Sequence, residues 1–142
     1  SFQNFVKNTQ QKFDLVISNP PFFSNSLKPK GTERTTARHD DELPHGELVH
    51  FTAKLLSEKG RLAVIIPYES VNAFITAAAS ESLFCIRKTF VRSNKESPRI
   101  RALLEFAKKA DTADETEFII YSAPHTYSKE YINLTRDFYL KL

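Results

Sequence analysis

Residues 13–22 read Phe-Asp-Leu-Val-Ile-Ser-Asn-Pro-Pro-Phe, and this stretch decides the fold. Residues 14–17 are largely apolar, a pattern typical of a strand buried on both faces of a parallel sheet. Pro20 and Pro21 must end that strand, because neither proline has an N–H group to donate to a neighbouring strand. Proline also favours extended geometry in the residue before it, so we expect Asn19 to present its amide at the strand's carboxyl end. That end is where ligands bind in open α/β sheets.

An aromatic residue, Phe22, comes directly after the two prolines. An amide, a rigid Pro-Pro pair and an aromatic ring are the groups needed to hold a planar base that carries an amino group. Asn-Pro is also a common opening of a turn, so an ordinary turn at the end of a strand is the alternative.

The run Asn19-Pro20-Pro21-Phe22 resembles the Asp/Asn/Ser-Pro-Pro-Tyr/Phe/Trp signature of S-adenosylmethionine-dependent amino-methyltransferases. Enzymes of that family modify an exocyclic nitrogen of adenine or cytosine, or a glutamine amide. The resemblance implies that the side-chain oxygen of Asn19 and the backbone carbonyl after it accept hydrogen bonds from the target amino group, while Phe22 stacks on the base. It assigns catalytic roles to Asn19, Pro20, Pro21 and Phe22, and it makes Asn19 a contact of the cofactor, S-adenosylmethionine, as well.

The composition fits one globular domain with a sizeable core, at 142 residues of which 41% are hydrophobic. The sequence has no apolar run of about 18 residues and no signal peptide, so we expect no membrane partner. The single cysteine, Cys85, excludes an internal disulfide framework and indicates a reducing, cytoplasmic location. We interpret it as a buried small hydrophobic residue, with a redox role as the alternative.

The three glycines, Gly31, Gly46 and Gly60, do not form a glycine-rich turn between a strand and a helix. A complete enzyme of the resembled family needs such a turn where the cofactor approaches the backbone, and an acidic residue for the ribose hydroxyls. The chain also contains no methionine. We therefore expect residues 1–142 to be a single truncated methyltransferase domain that lacks the N-terminal, glycine-rich, cofactor-binding half. We expect this fragment alone to be inactive.

Helices and strands alternate after the motif. Leucine and phenylalanine side chains recur at helical spacing over residues 44–58, and Gly60 follows as a stop signal. Residues 61–66 predict a second buried strand that Pro67 closes, and residues 69–80 predict an alanine-rich helix. This alternation predicts an α/β fold with helices on both faces of a parallel sheet.

The pattern changes in the last part of the chain. Apolar and polar residues alternate over 83–91 and 101–107, and residues 117–121 are a third extended run. Residues 93–99 suit a hairpin loop between the first two runs. The composition of residues 101–109 also favours a helix. The resemblance favours strands, because the Rossmann-like sheet of class I methyltransferases ends in an antiparallel hairpin.

The C-terminal segment narrows the resemblance. Residues 127–140 read Tyr-Ser-Lys-Glu-Tyr-Ile-Asn-Leu-Thr-Arg-Asp-Phe-Tyr-Leu and predict an amphipathic helix capped by Ser128, with Tyr131, Leu134 and Phe138 on one face. With Ser-Asn-Pro-Pro-Phe-Phe and the later Ala-Arg-His, this ending resembles the bacterial tRNA1(Val) (adenine-37) N6-methyltransferases. That resemblance implies the C-terminal portion of a class I Rossmann-like fold, S-adenosylmethionine as methyl donor, and an anticodon-loop adenosine of tRNA as substrate.

A long polar loop over residues 24–41 follows the motif and is placed to cover the substrate, with a plain surface loop as the alternative. Phe23, Arg38 and His39 beside and within it are candidate substrate contacts. Arg38 and His39 could bind RNA or the carboxylate of the cofactor, with a structural role as the alternative. The four histidines show no metal-ligand spacing with Cys85 or with clustered acids, so we predict no metal site.

Basic side chains concentrate over residues 87–109, which hold eight lysines and arginines against two glutamates, whereas the whole chain has a net charge of +3. A basic hairpin suits the binding of RNA phosphates, with Arg92 and Lys95 as candidate contacts. The alternative is a sheet edge that lysines protect against pairing with other chains.

The first hypothesis from the sequence is an RNA adenine N6-methyltransferase acting on tRNA. A DNA adenine or protein-glutamine methyltransferase with the same motif is the second. A non-catalytic Rossmann-like domain that binds RNA or a protein partner is the third. The sequence does not address the oligomeric state.

Overall fold

We describe residue 6, residues 9–20 and residues 45–139 from a computed structural model of the chain. The strands are β1 (Phe13–Ser18), β2 (Leu56–Pro67), β3 (Phe84–Arg92), β4 (Arg99–Ala107), β5 (Asp114–Ile119), β6 (Tyr121–Ala123) and β7 (Thr126–Tyr127). The α-helices are α1 (His45–Leu55), α2 (Val71–Ser80) and α3 (Lys129–Thr135), and a short 3-10 helix spans Tyr68–Ser70.

Five strands form one mixed sheet in the order β1-β2-β4-β3-β5. β1 runs parallel to β2, and β3 runs parallel to β5, while β4 lies antiparallel between β2 and β3. The predicted α/β class and the closing antiparallel hairpin are confirmed. Residues 101–107 are a strand and not a helix, because Leu104 pairs with Val64 on one side and with Lys88 on the other.

The hydrophobic core lies between one face of this sheet and the helices α1 and α2. Leu62, Val64 and Ile66 alternate along β2 with their side chains in the core, as expected for a strand with period-2 patterning. Phe74 of α2 packs against Phe106 of β4 with ring centroids 5.5 Å apart. Both rings are fully buried, so they tie the second helix to the central strand.

The opposite face of the sheet is largely bare within the described residues, and this corrects the prediction of a strand buried on both faces. Leu15 and Ile17 of β1 are 54% and 74% exposed, and only Val16 of that strand packs against the core. β1 is the edge strand of the described sheet. Helices on both faces were expected, but α1 and α2 share the same core.

The helix predicted over residues 44–58 ends earlier than expected. α1 stops at Leu55, and β2 begins at Leu56, which pairs with Phe13 of β1. Gly60 therefore lies inside a strand and is not a helix stop. A Cβ at this position would lie 2.7 Å from the carbonyl oxygen of Phe13, so the glycine permits a close approach of two backbones.

The C-terminal helix is capped as predicted. Ser128 Oγ accepts a hydrogen bond from the Tyr131 N–H at 3.0 Å and donates one to the Ile119 carbonyl at 2.6 Å. The predicted apolar stripe is only partly used, since Tyr131 is half-buried while Leu134 and Phe138 are exposed. In the described ranges we find no helix that is long and apolar enough to cross a membrane.

Candidate active site

Four strands of the sheet deliver their carboxyl ends to one side of the molecule. β1, β2, β3 and β5 all run in the same direction, because β4 is antiparallel to both β2 and β3. We call this side the carboxyl edge and define it by Asn19, Tyr68, Ser93 and Ile120, which follow those four strands. Ligands bind at this side of open α/β sheets, so we expect the predicted site residues to lie here.

Asn19 lies where the sequence predicted, one residue beyond the end of β1. Its position is fixed by the pairing of Ser18 with Val64 in the parallel ladder. The residue is exposed, and we find no hydrogen-bond partner for its carboxamide among the described residues. An amide held at a strand end and left unpartnered is available to a ligand. Pro20 follows it and is half-buried.

Several predicted site residues lie outside the described residues: Pro21, Phe22, Phe23, Arg38, His39 and the rest of the loop over residues 24–41.

A groove of about 420 Å³ runs along the bare face of the sheet and ends at Asn19. Apolar side chains of three strands line most of it, including Ile17, Ala63 and Leu103. Arg87 and Glu105 close its far side with an ion pair of 3.2 Å. The carboxamide of Asn19 therefore stands at the rim of an apolar surface.

The basic hairpin reaches the carboxyl edge, but four of its eight cations form ion pairs with acidic residues outside residues 87–109. β5 lies beside β3 and carries Glu115 and Glu117. Lys88 and Arg99 each approach Glu115, at 3.8 and 3.6 Å. The excess of positive charge over residues 87–109 therefore does not form one continuous basic surface.

Arg92, a predicted substrate contact, is engaged inside the protein. Its Nε donates to Glu117 at 2.9 Å, and its Nη1 donates to the Ser97 carbonyl at 2.6 Å. A contact between Arg92 and substrate stays a prediction that requires this pair to open. Lys95 is exposed in the β3–β4 loop and forms no ion pair with any described residue, so of the two it is the one available to a phosphate.

Arg99 joins this ion-pair group to two aromatic rings. Its guanidinium lies 4.0 Å from the Phe90 ring centroid and 5.6 Å from that of Tyr68, and it forms an ion pair with Glu117. Burial would raise the pKa of Glu117, but hydrogen bonds from Arg99 and Arg92 outweigh burial and lower that pKa below its usual value. A hydrogen bond with Tyr68, followed by the one with Glu117, raises the pKa of Arg99.

Sequence reasoning missed the aromatic residues of the carboxyl edge. Tyr68 follows β2 directly, and Tyr121 follows β5 after one intervening residue. Both are more than a third exposed. The position of Tyr68 after Ile-Ile-Pro was a usable signal, because it repeats the pattern of residues 14–22, in which a predicted strand is closed by proline and followed by an aromatic residue.

Burial raises the pKa of the Cys85 thiol, and the positive charge of Lys88 partly offsets the effect. The side chain packs against the core, as the prediction of a small hydrophobic residue required.

No family model matches the chain. Curated relatives do match it, and the three that follow are each named tRNA1(Val) (adenine(37)-N6)-methyltransferase. The protein of Trichodesmium erythraeum (strain IMS101) is 41% identical over 141 residues, which cover 99% of this chain and 59% of the relative. That of Bacteroides fragilis (strain YCH46) is 39% identical, covering 96% and 57%. That of Haemophilus influenzae (strain ATCC 51907 / DSM 11121 / KW20 / Rd) is 37% identical, covering 98% and 58%.

Among solved structures, the chain is similar to a predicted O-methyltransferase, protein Atu636 from Agrobacterium tumefaciens. The TM-score is 0.65 at 17% identity, over 87% of this chain and 51% of the other. This likeness shows the fold alone, and it agrees with a portion of a methyltransferase domain. The chain spans a little under three fifths of the length of the curated relatives it matches. By sequence, this chain is similar to a little under three fifths of the length of proteins that are named tRNA1(Val) (adenine(37)-N6)-methyltransferase.

Proposed function

We propose that this chain is the methyl-acceptor half of an enzyme that uses S-adenosylmethionine to methylate N6 of adenosine 37 in the anticodon loop of tRNA. The observation that carries the proposal is Asn19, exposed and unpartnered among the described residues at the carboxyl end of β1. The names of the relatives supply the reaction and the substrate.

The chemistry asks for a hydrogen-bond acceptor and not for a strong base. The exocyclic nitrogen of adenine is a poor nucleophile, because its lone pair is delocalised into the ring. The Oδ1 atom of Asn19 would accept one amino proton, and the backbone carbonyl after it would accept the other. Both acceptors favour a more tetrahedral nitrogen, whose lone pair can then attack a methyl group. The donor would give up the methyl group with loss of its C–S bond and leave as a neutral thioether, and the methylated nitrogen would then release its extra proton to solvent.

S-adenosylmethionine supplies an electrophilic methyl group when bound. The described residues fit only one side of a site for it, namely the carboxamide of Asn19 at the rim of an apolar groove. Gly46 lies in α1 and Gly60 in β2, so neither provides the turn that brings a cofactor close to the backbone. The remaining side of the site would come from residues outside this chain.

The bare face of the sheet also supports the proposal that this chain forms only one part of the enzyme. We propose that the part of the relatives that this chain does not match precedes residue 1 and covers this face. Parallel strands are normally buried on both faces, yet Ile17 is 74% exposed. About two fifths of each relative has no counterpart here, which is enough chain for helices and further strands.

A tRNA loop suits this site, since its unpaired bases can turn outward without the melting of a duplex. Lys95 and the exposed Arg101 would meet phosphates near the carboxyl edge. Such a substrate would also place the enzyme in the cytoplasm.

The test uses a complete enzyme, made by joining this chain at Ser1 to the part of the Trichodesmium relative that it does not match. We would offer it S-adenosylmethionine carrying a labelled methyl group, together with unmodified tRNA, DNA or a glutamine-containing protein. The expected result is transfer to tRNA alone, at N6 of adenosine 37. Transfer only to DNA or only to protein would overturn the assignment of substrate.

Asn19→Ala should lower kcat about a hundredfold or more, the usual effect of removing one hydrogen-bonding group that acts in the transition state. Asn72→Ala is the matched control, because Asn72 is exposed on α2 within the described fold. Its activity should be that of the parent. Full activity of Asn19→Ala would overturn the catalytic role of Asn19, whereas a complete enzyme that transfers methyl to none of the substrates would favour a non-catalytic binding domain.

A further inference from the structure

Three tyrosine rings form a continuous stack beside the carboxyl edge. Tyr121 lies on Tyr127 with centroids 5.0 Å apart and planes 18° apart, and Tyr127 lies on Tyr131 at 4.7 Å and 16°. Near-parallel stacking of this kind joins β6, β7 and α3 into one unit. A hydrogen bond with Tyr121 raises the pKa of Tyr127.

The stack runs outward to the surface. Its inner ring, Tyr131, is half-buried against Phe118 of β5, with centroids 6.3 Å apart. Its outer ring, Tyr121, is 37% exposed. A stack that served packing alone would end in the core, whereas this one ends with a ring open to solvent.

Backbone hydrogen bonds join the segment that carries the outer ring to the basic hairpin. The Tyr121 N–H donates to the Ser93 carbonyl at 2.8 Å, and the Ile120 N–H donates to the Arg92 carbonyl at 3.0 Å. Ser93 is two residues from Lys95, an exposed cation that forms no ion pair with the described residues. An exposed aromatic ring and an exposed cation on neighbouring segments can together bind single-stranded nucleic acid, because the ring stacks on a base and the cation meets a phosphate.

We propose that Tyr121 is a stacking platform for an unpaired base of the RNA other than the base that is methylated. β1 and β5 are opposite edges of the sheet, four strand spacings or about 19 Å apart, which is too far for Tyr121 to touch a base held at Asn19. The site therefore positions the RNA and does not take part in the chemistry. This inference rests on the proposed function, since it takes tRNA as the substrate.

The test compares Tyr121→Ala, Tyr121→Phe and Phe138→Ala in the complete enzyme defined above, with unmodified tRNA as the probe. Phe138 is the matched control, because it is an aromatic residue that is 85% exposed and lies outside the stack. Thermal unfolding of each variant is measured beside kcat and KM. We expect Tyr121→Ala to raise KM for tRNA about five- to hundredfold with kcat unchanged, as the loss of one stacked base predicts.

Tyr121→Phe keeps the ring and should keep the parent KM, and Phe138→Ala should do the same. An unchanged KM for Tyr121→Ala overturns the inference, and so does a Tyr121→Phe variant that is as impaired as Tyr121→Ala. A fall in kcat and Tm with an unchanged KM would assign the stack a structural role and overturn it as well. Each of these results needs an active parent, so they are distinct from a failure of the proposed function, in which the parent transfers no methyl group to tRNA.

Discussion

Leu103 and Leu104 offer a direct test of the bare face of the sheet. They are neighbours on the central strand β4, with the same side chain on opposite faces. Leu104 is 2% exposed and belongs to the core, whereas Leu103 is 39% exposed on the other face. Substituting each by alanine removes the same atoms from two different environments.

In this chain, the loss in free energy of unfolding that each substitution causes follows from how far the leucine side chain is buried. Full burial of a leucine side chain is worth about 1.5–3 kcal/mol, and Leu103 has part of its surface in solvent already. Leu103→Ala should therefore lower the free energy of unfolding by about 1–2 kcal/mol, with no cavity term because the site is open. Leu104→Ala leaves a cavity as well and should cost about 2–5 kcal/mol.

In the complete enzyme the two substitutions should become equivalent. If the additional residues cover the bare face, Leu103 is buried there and Leu103→Ala also costs about 2–5 kcal/mol. Urea unfolding of both variants, in this chain and in the complete enzyme, measures the difference directly. A gap between the two leucines that persists unchanged in the complete enzyme would refute the proposal that this face is covered. If Leu103→Ala and Leu104→Ala cost the same in the isolated chain, the assignment of the two side chains to opposite faces of β4 would be wrong.

Three further predictions concern single residues. Ser82 has a φ of 58° after the end of α2, so Ser82→Gly should raise the free energy of unfolding by about 1 kcal/mol in thermal unfolding, and a loss would contradict the strain. Gly60→Ala should destabilise the chain by about 1–3 kcal/mol, since its Cβ would meet the Phe13 carbonyl, whereas Gly46→Ala meets nothing within 4 Å and should not. Glu117→Gln should lower Tm at pH 7 more than Glu115→Gln does. Because the pKa of Glu117 is lowered in the folded state, its carboxylate stabilises the fold above the ordinary glutamate pKa, and this stabilisation is lost as pH falls through the lowered pKa. If the difference in Tm between the parent and Glu117→Gln stays constant down to pH 2, this prediction is wrong.

Local patterns were sufficient to predict most of the elements. Period-2 alternation identified β3 and β4, and the proline after residues 61–66 marked the end of β2 correctly. Patterns failed where a contact distant in sequence decides the outcome. The helix predicted over residues 44–58 includes Leu56, but Leu56 pairs with Phe13, more than forty residues earlier, and the ladder of β1 and β2 prevails over helix propensity.

The ion pairs near the candidate site could not be predicted from the sequence, because they also depend on contacts between residues that are distant in sequence. Composition shows a basic hairpin, and nothing local shows that the acidic strand β5 lies parallel to β3. That pairing brings Glu117 to Arg92 and Arg99 and Glu115 to Lys88, so β5 engages three of the eight cations in ion pairs. The position of Asn19, in contrast, depends only on a short strand and the prolines after it, which is why it could be predicted.

The edge position of β1 links completion of the sheet to catalysis. Among the described residues nothing pairs with the outer edge of β1, and Asn19 stands at its carboxyl end. A strand that paired in parallel with this edge would end beside Asn19, about 5 Å away across one strand spacing. The loop after that strand would then lie at the switch point where cofactors bind in open α/β sheets. The packing of additional residues against β1 would thus bury the bare face and at the same time bring the methyl donor to Asn19. A variant that blocks the packing, such as Ile17→Lys, should therefore lose cofactor binding and methyl transfer together, although Ile17 is too exposed in this chain to affect its stability strongly.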